Sequence, residues 1–319
     1  MPPASAHTGA RVLLVAKFNA RYHRTGGALR DALTRLGCEV ATVEERTRGL
    51  DALLHRSLQG RLSREIRRHR PDLVLVFKGG SLEPEAIDAL RPLSPARWIN
   101  WFPDSPHLLE LSLRIGRAYD RCFIFDTSMV ARHRELGRQA EYLAEGCEPA
   151  YHRPLPDPAW PRSRVAFVGS NEPNRAAALD ALAGLGLTIR GPGWPGGPVY
   201  GDDFIRAFSN ADMALNIHQY FGDPPELGRY GTGANRRVFE IAAIGTAELC
   251  DAKADVVRHF VEDREIVLFR NAGELRAKAE WLLGDTRVRE EIAGRARARA
   301  LKEHTWEHRL SELLERSLR

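Results

Sequence analysis

Short, mostly apolar runs alternate with amphipathic stretches along this chain, and the pattern occurs twice. In the first half the runs are Arg11 to Lys17, Cys38 to Val43, Leu73 to Phe77, Arg97 to Phe102 and Arg121 to Phe125. Such runs do not alternate apolar with polar, so they predict strands buried on both faces, as in a parallel sheet. Between them, Gly26 to Leu36, Ser57 to His69, Glu83 to Leu90, His107 to Tyr119 and Ser128 to Leu136 predict helices. Leu58, Leu62 and Ile66, spaced by four, mark the buried stripe of one of them. Strand and helix in alternation predict a doubly wound α/β sheet, whose ligands sit at the carboxyl ends of the strands.

Five prolines then fall between Pro149 and Pro161, a stiff linker by composition. Beyond it the alternation restarts. Arg164 to Val168, Leu187 to Arg190, Met213 to Asn216, Glu248 to Cys250 and Ile266 to Phe269 predict strands. Asn174 to Leu185, Ile205 to Asn210, Arg237 to Ile244, Ala272 to Leu283 and Arg287 to Glu303 predict helices. The reading is two α/β domains. The first spans 1–155 with a returning C-terminal helix at 304–319, and the second spans 156–303.

Composition narrows the classes. The 319 residues suffice for two cores, and 43% hydrophobic with 28% charged residues is ordinary for a globular protein. No apolar run is long enough to cross a bilayer, and Met1 to His7 lacks a signal core, so a cytoplasmic protein is expected. Cys38, Cys122, Cys147 and Cys250 are scattered without a C-x-x-C pair and read as buried thiols. The net charge is +5, with 42 arginines among 47 basic residues. No basic block interleaves with aromatics, which argues against nucleic acid as the partner.

Residues 216 to 251 carry the most chemistry. The loop Gly231-Thr-Gly233-Ala leads into Asn235-Arg236-Arg237 and a buried helix with one carboxylate, Glu240, ending at Gly245. A helix N-terminus offers unbonded N–H groups and a partial positive charge, a seat for phosphate. Glu240, about one and a half turns further on, lies where a sugar hydroxyl would be in reach. The alternative is a structural carboxylate paired with an arginine. Asn235 and Arg236 are expected to hold a diphosphate, or else Asn235 caps the helix and the arginines are solvated. Adjacent arginines on a helix cannot both face one way. Together these features suggest a nucleotide-sugar site.

The same half resembles the CgeB-like group of GT-B glycosyltransferases, named for the spore-maturation protein CgeB. The resemblance is carried by ordered stretches. They are Val168-Gly169-Ser170-Asn-Glu-Pro-Asn-Arg175, Phe208 to His218, Gly233-Ala-Asn235-Arg-Arg237-Val-Phe239-Glu240, Arg264 to Phe269 and His304-Thr305-Trp306-Glu-His308-Arg309. It covers about residues 163 to 312. It implies a GT-B fold of two Rossmann-like domains facing a cleft, with a C-terminal helix crossing back to the first. The donor nucleotide would lie on the second domain and the acceptor on the first. Glu240 matches the second Glu of the E-x7-E pattern of many retaining enzymes of this fold. Thr232 stands where the first Glu is expected.

Other candidates follow from position. Gly169 and Ser170 form a loop after a strand, and Arg175 could offer charge to the diphosphate or be a surface arginine. Stabilising the leaving diphosphate is most of what a metal-free transfer requires. Trp194, in Gly191 to Gly197, either stacks on the base or packs inward. Asn216 and His218 end a strand; His218 is equally readable as a core or capping histidine. Asp104 and His107 follow the fourth strand and are the general-base candidates, with helix capping as the alternative. Lys17, Asn19 and His23 after the first strand, and Lys78 after the third, are possible cleft contacts. No His/Cys/carboxylate grouping has zinc spacing, and Asp202-Asp203 lacks the D-x-D setting of metal-dependent transferases. The function expected is metal-free transfer of a hexose from a nucleotide diphosphate sugar, a UDP-sugar first, to an unknown hydroxyl, with no other cofactor. An epimerase or phosphorylase on the same fold, and a non-catalytic nucleotide-sugar-binding protein, are the alternatives.

Overall fold

The apolar runs form two parallel sheets. The structure is a computed structural model that describes residues 8–18, 25–46, 57–104, 106–219 and 231–318. Asn19 and His23 lie outside the described residues. The first sheet contains β1 (Arg11–Ala16), β2 (Glu39–Glu44), β3 (Leu73–Phe77), β4 (Arg97–Phe102), β5 (Arg121–Ile124) and β6 (Ala140–Tyr142). Its order is β2-β1-β3-β4-β5-β6, and every pairing is parallel. Between the strands run α1 (Thr25–Arg35), α2 (Leu58–His69), α3 (Pro84–Leu90), α4 (Leu109–Gly116) and α5 (Thr127–Glu135). Ser57 caps α2 by accepting from the Gly60 N–H, and Asp126 caps α5 through the Ser128 N–H.

Alternate residues of each strand feed opposite faces. Leu13 and Val15 join one core with Leu62, Ile66 and Ile87, while Val12 and Leu14 join another with Leu29 and Leu33. That second core is completed by α11 (Trp306–Ser317), which contributes Trp306, Leu310, Leu313 and Leu314. Trp101 and Trp306 meet edge to face at 5.5 Å. The compact unit is therefore discontinuous, comprising Met1–Ala144 and Trp306–Arg319.

The second unit is Glu145–Thr305, and the proline-rich stretch 149–161 lies wholly inside it. Its strands are β7 (Ser163–Val168), β8 (Leu187–Arg190), β9 (Ala211–Asn216), β10 (Glu248–Asp251) and β11 (Val267–Phe269). They pair in the order β11-β10-β9-β7-β8, again all parallel. The helices are α6 (Pro173–Asp180), α7 (Asp202–Ser209), α8 (Arg236–Ile244), α9 (Ala272–Gly284) and α10 (Thr286–Glu303). α6 stops at Asp180, short of the Leu185 expected, because the next residues tighten into turns that run to Gly184 in the left-handed region.

Both sheets reverse their winding direction once. In the first, β2 and β3 flank β1 on opposite sides; in the second, β8 and β9 flank β7. At such a reversal the following helices lie on opposite faces and leave a crevice at the strands' carboxyl ends. The residues just past those ends are Lys17 and Lys78 in one sheet, and Gly169, Ser170 and His218 in the other. Among the described residues, no helix is long and apolar enough to cross a membrane.

Candidate functional site

At the reversal of the second sheet, two loops touch backbone to backbone. A Cβ on Gly191, whose φ is 146°, would stand 1.9 Å from the Gly169 carbonyl oxygen. Only glycine fits there. The Gly169 N–H donates to Arg190 O at 2.9 Å, and the Asn171 N–H to Pro192 O. Trp194 closes this contact, its indole N–H donating to Gly169 O at 3.0 Å. Its ring packs against the apolar core of β7, β9 and α9. Of the two readings of Trp194, the structure shows the inward one.

Arg175 also turns inward. It is 4% exposed, and its guanidinium donates to Ile217 O (3.1 and 2.9 Å), Ser170 O and Ser170 Oγ. Burial, aided by the charge of Arg237, pushes its pKa down to about 9. Arg237 donates to Val168 O and Ile217 O, so both arginines tie β7 to the end of β9. The Ser170 hydroxyl accepts from Arg175 and donates to Glu172.

The start of α8 rests on a buried polar chain. Asn235 is at the N-cap position, with extended backbone and no side-chain cap bond. Its amide instead pairs reciprocally with that of Asn216, at 3.1 and 3.0 Å. Asn216 also donates to Glu248 Oε1 at 2.8 Å. Burial raises the Glu248 carboxyl to about 8, against the opposing hydrogen bond from Asn216. His218 accepts the Asn235 backbone N–H at Nε2 (3.0 Å) and sits 2.7 Å from Asp251 Oδ1 through Nδ1. An acceptor at Nε2 fixes the proton on Nδ1. Burial outweighs the pull of Asp251 and keeps His218 below its ordinary pKa.

His218, Cys250 and Asp251 have donor atoms within 4.8 Å of one another, a grouping that sequence spacing did not reveal. Both imidazole nitrogens are engaged, and burial raises the Cys250 thiol well above its usual range. His218 and Asp251 form a hydrogen-bonded pair, while Cys250 Sγ donates to the Asp251 backbone carbonyl.

Arg236 and Arg237 diverge, as neighbours on a helix must. Arg236 Nε lies 2.9 Å from Glu240 Oε1, one turn along α8, and its Nη1 is 3.6 Å from Glu145. Glu240 is 8% exposed and also faces His152 Nε2 at 3.5 Å. The Glu148 N–H donates to His152 Nδ1, so the proton is on Nε2, pointing at Glu240. Burial holds His152 below its ordinary pKa. Glu145, Glu148 and His152 were missed in the sequence, because they lie just before or within a proline-rich stretch that reads as a linker. Thr232 Oγ1 donates to Asp255 Oδ2 at 3.0 Å, and Asp255 is fully buried.

In the first unit, Lys78 Nζ is 2.8 Å from Asp104 Oδ2. Lys78 is left-handed at φ 69°, held by Asn100 Nδ2 donating to its carbonyl, and Gly79 follows at φ 79°. Such strain in a non-glycine residue is concentrated at functional sites. Lys17 is half-buried, and burial lowers its pKa. His107 is exposed on the 3-10 turn Pro106–Leu108.

Residues 174–315 match the family described as glycosyl transferase-like. No curated protein matches the chain. Solved structures match nearly its whole length. Sucrose-phosphate synthase from Thermosynechococcus elongatus superposes with a TM-score of 0.66 at 12% identity, over 96% of this chain and 98% of that one. The Anabaena protein HepE, in complex with UDP and glucose, gives 0.63 at 12% identity, over 96% and 100%; it has also been solved with UDP-glucose. A glycosyltransferase from Rickettsia africae gives 0.60 at 10% identity, over 97% and 98%. The fold is GT-B.

Proposed function

We propose that this protein transfers a hexose from a nucleotide diphosphate sugar, a UDP-sugar, to a hydroxyl acceptor without a metal. The observation that carries the reading is the Arg236–Glu240 pair on the first turns of α8, inside the glycosyl transferase-like segment. A cation beside a helix N-terminus suits a diphosphate, and the next carboxylate suits ribose hydroxyls. HepE, which shares the fold, is solved with UDP and with UDP-glucose, which supports UDP as the nucleotide. In this reading Gly169 and Ser170 bring backbone close to the donor. Arg175, Asn216, His218 and Asn235 act from behind, by holding the loop and helix that face it. Charge building on the departing diphosphate is met by Arg236 and the dipole of α8. Asp104, steadied by Lys78, and His107 are assigned to the acceptor hydroxyl, at the carboxyl edge of the first sheet.

Calorimetry with UDP-, GDP-, dTDP- and ADP-glucose tests this. The UDP-sugar should bind, and Glu240→Gln and Arg236→Gln should each weaken it at least tenfold, on the order of 1.4 kcal/mol. Turnover should persist in EDTA. Absence of binding by all four, or unchanged affinity in both variants, ends the reading. A non-catalytic binding protein is the second reading. It is favoured by Thr232, at the place of an expected carboxylate, whose hydroxyl is spent on Asp255. It predicts donor binding with no turnover on any acceptor.

A further inference from the structure

We propose that the second unit has a second ligand site, at the amino edge of its sheet, that takes a phosphorylated monosaccharide. A cavity of about 630 Å³ opens there, within the range of small-molecule sites. It is bounded by the start of β9, the turn between α8 and β10, the stretch of α10 from Thr286 to Arg297 and the proline stretch. It lies at the opposite strand ends from the loops of Gly169 and His218, with α8 running between. Nine residues at a rise of ~1.5 Å make that separation roughly 13 Å.

The lining has three chemistries. Arg297 supplies a fixed cation. Its Nε donates to Ala243 O at 3.2 Å, and its stem is pressed so close that a Cβ on Gly245 would lie 3.1 Å from Cδ. Its two terminal nitrogens have no partner among the described residues, and a guanidinium fork with both ends open matches a phosphate. Arg289 lies nearby, its own nitrogens tied to Leu282 O and Thr286 Oγ1, so it adds charge without rearranging. The second chemistry is a carboxylate, Glu290, exposed at the rim and outside any ion pair among the described residues. It can accept from sugar hydroxyls. The third is apolar: Pro154 and Pro156, both exposed, offer a wall for the C–H face of a pyranose. A bare phosphate would leave the wall and Glu290 unused; a neutral sugar would leave Arg297 unused.

The test uses the full chain. Glucose 6-phosphate, glucose 1-phosphate and ribose 5-phosphate are titrated calorimetrically with UDP saturating, and glucose and inorganic phosphate serve as control arms. At least one sugar phosphate should bind at least tenfold tighter than either control, with UDP present. Arg297→Gln should weaken it at least tenfold and leave UDP affinity unchanged. Glu290→Gln, at an exposed position that cannot unfold the chain, should weaken it about threefold. The proposal fails if no sugar phosphate binds, if saturating UDP displaces it, or if both variants bind it as the wild type does. Failure of all four nucleotide sugars to bind would end the donor reading and leave this site standing.

Discussion

His218 shows how one residue can set a site it does not touch. Its imidazole stands between Asp251 and the backbone N–H of Asn235, so its worth lies in being neutral with the proton on Nδ1. Removing it leaves the part-buried Asn235 N–H unmatched and strips Asp251 Oδ1 of its side-chain donor, leaving only the backbone N–H of residue 218, at a cost of about 1–3 kcal/mol each. His218→Ala should therefore lower urea stability by about 2 kcal/mol or more and weaken UDP at least tenfold. In His218→Gln, the amide can donate to Asp251 and accept from Asn235, so both losses should be largely restored. Equal loss in both variants would refute the tautomer argument. Glu248 gives a pH signature of its own. Its carboxyl sits at about 8 in the folded chain, above the 4.5 of an ordinary glutamate. The folded protein keeps a proton that the unfolded chain releases between those values. The contribution is fully present below pH 4.5 and is lost as pH rises towards 8, by about 1.4 kcal/mol per unit at most. Glu248→Gln keeps the bond to Asn216 and removes the titration. Urea unfolding at pH 5, 6.5 and 8 should show the variant gaining on the wild type with each step. Parallel curves would remove Glu248 as the cause.

At the scale of elements, apolar runs such as LVLVF at β3 were legible because burial on both faces leaves no polar position to confuse the reading. β6, with the sequence AEY, was not: its Glu141 pairs with Arg121 and Arg316, so an edge strand presents polar residues. Helix α8 was legible as a buried helix behind a glycine-flanked loop. What that pattern hides is direction. Nothing in Asn235-Arg236-Arg237 says which guanidinium enters the sheet. That is settled by Val168 O and Ile217 O, unpaired strand-end carbonyls that only the fold brings within reach of Arg237. The same carbonyl of Ile217 draws in Arg175, which sequence position alone leaves equally readable as a surface arginine. Arginines in the first turn of a helix that follows a strand therefore have two destinations, ligand or strand-end carbonyl. The number of unpaired carbonyls at a sheet's edge decides between them, and a sequence does not display it.

At the scale of the whole molecule, the chain is two compact units on one thread, with the last helix belonging to the first. α11 contributes Trp306, Leu310, Leu313 and Leu314, each at most 1% exposed, to the core formed by β1, β3 and α1. At about 1.5–3 kcal/mol for each such side chain, their removal costs as much as the whole stability margin of an ordinary domain. The second unit, Glu145–Thr305, keeps its own sheet and cores without any of them. Ending the chain at Thr305 should thus abolish one of two calorimetric transitions and leave the other within a few degrees of its wild-type position. UDP at one hundred times its dissociation constant adds about 2.7 kcal/mol to whichever unit binds it. In the intact chain it should raise only the transition that survives truncation, and in the shortened chain it should raise it by the same amount. If both transitions move together with UDP, or both vanish on truncation, the two units fold as one, and the donor site cannot be assigned to the second unit alone.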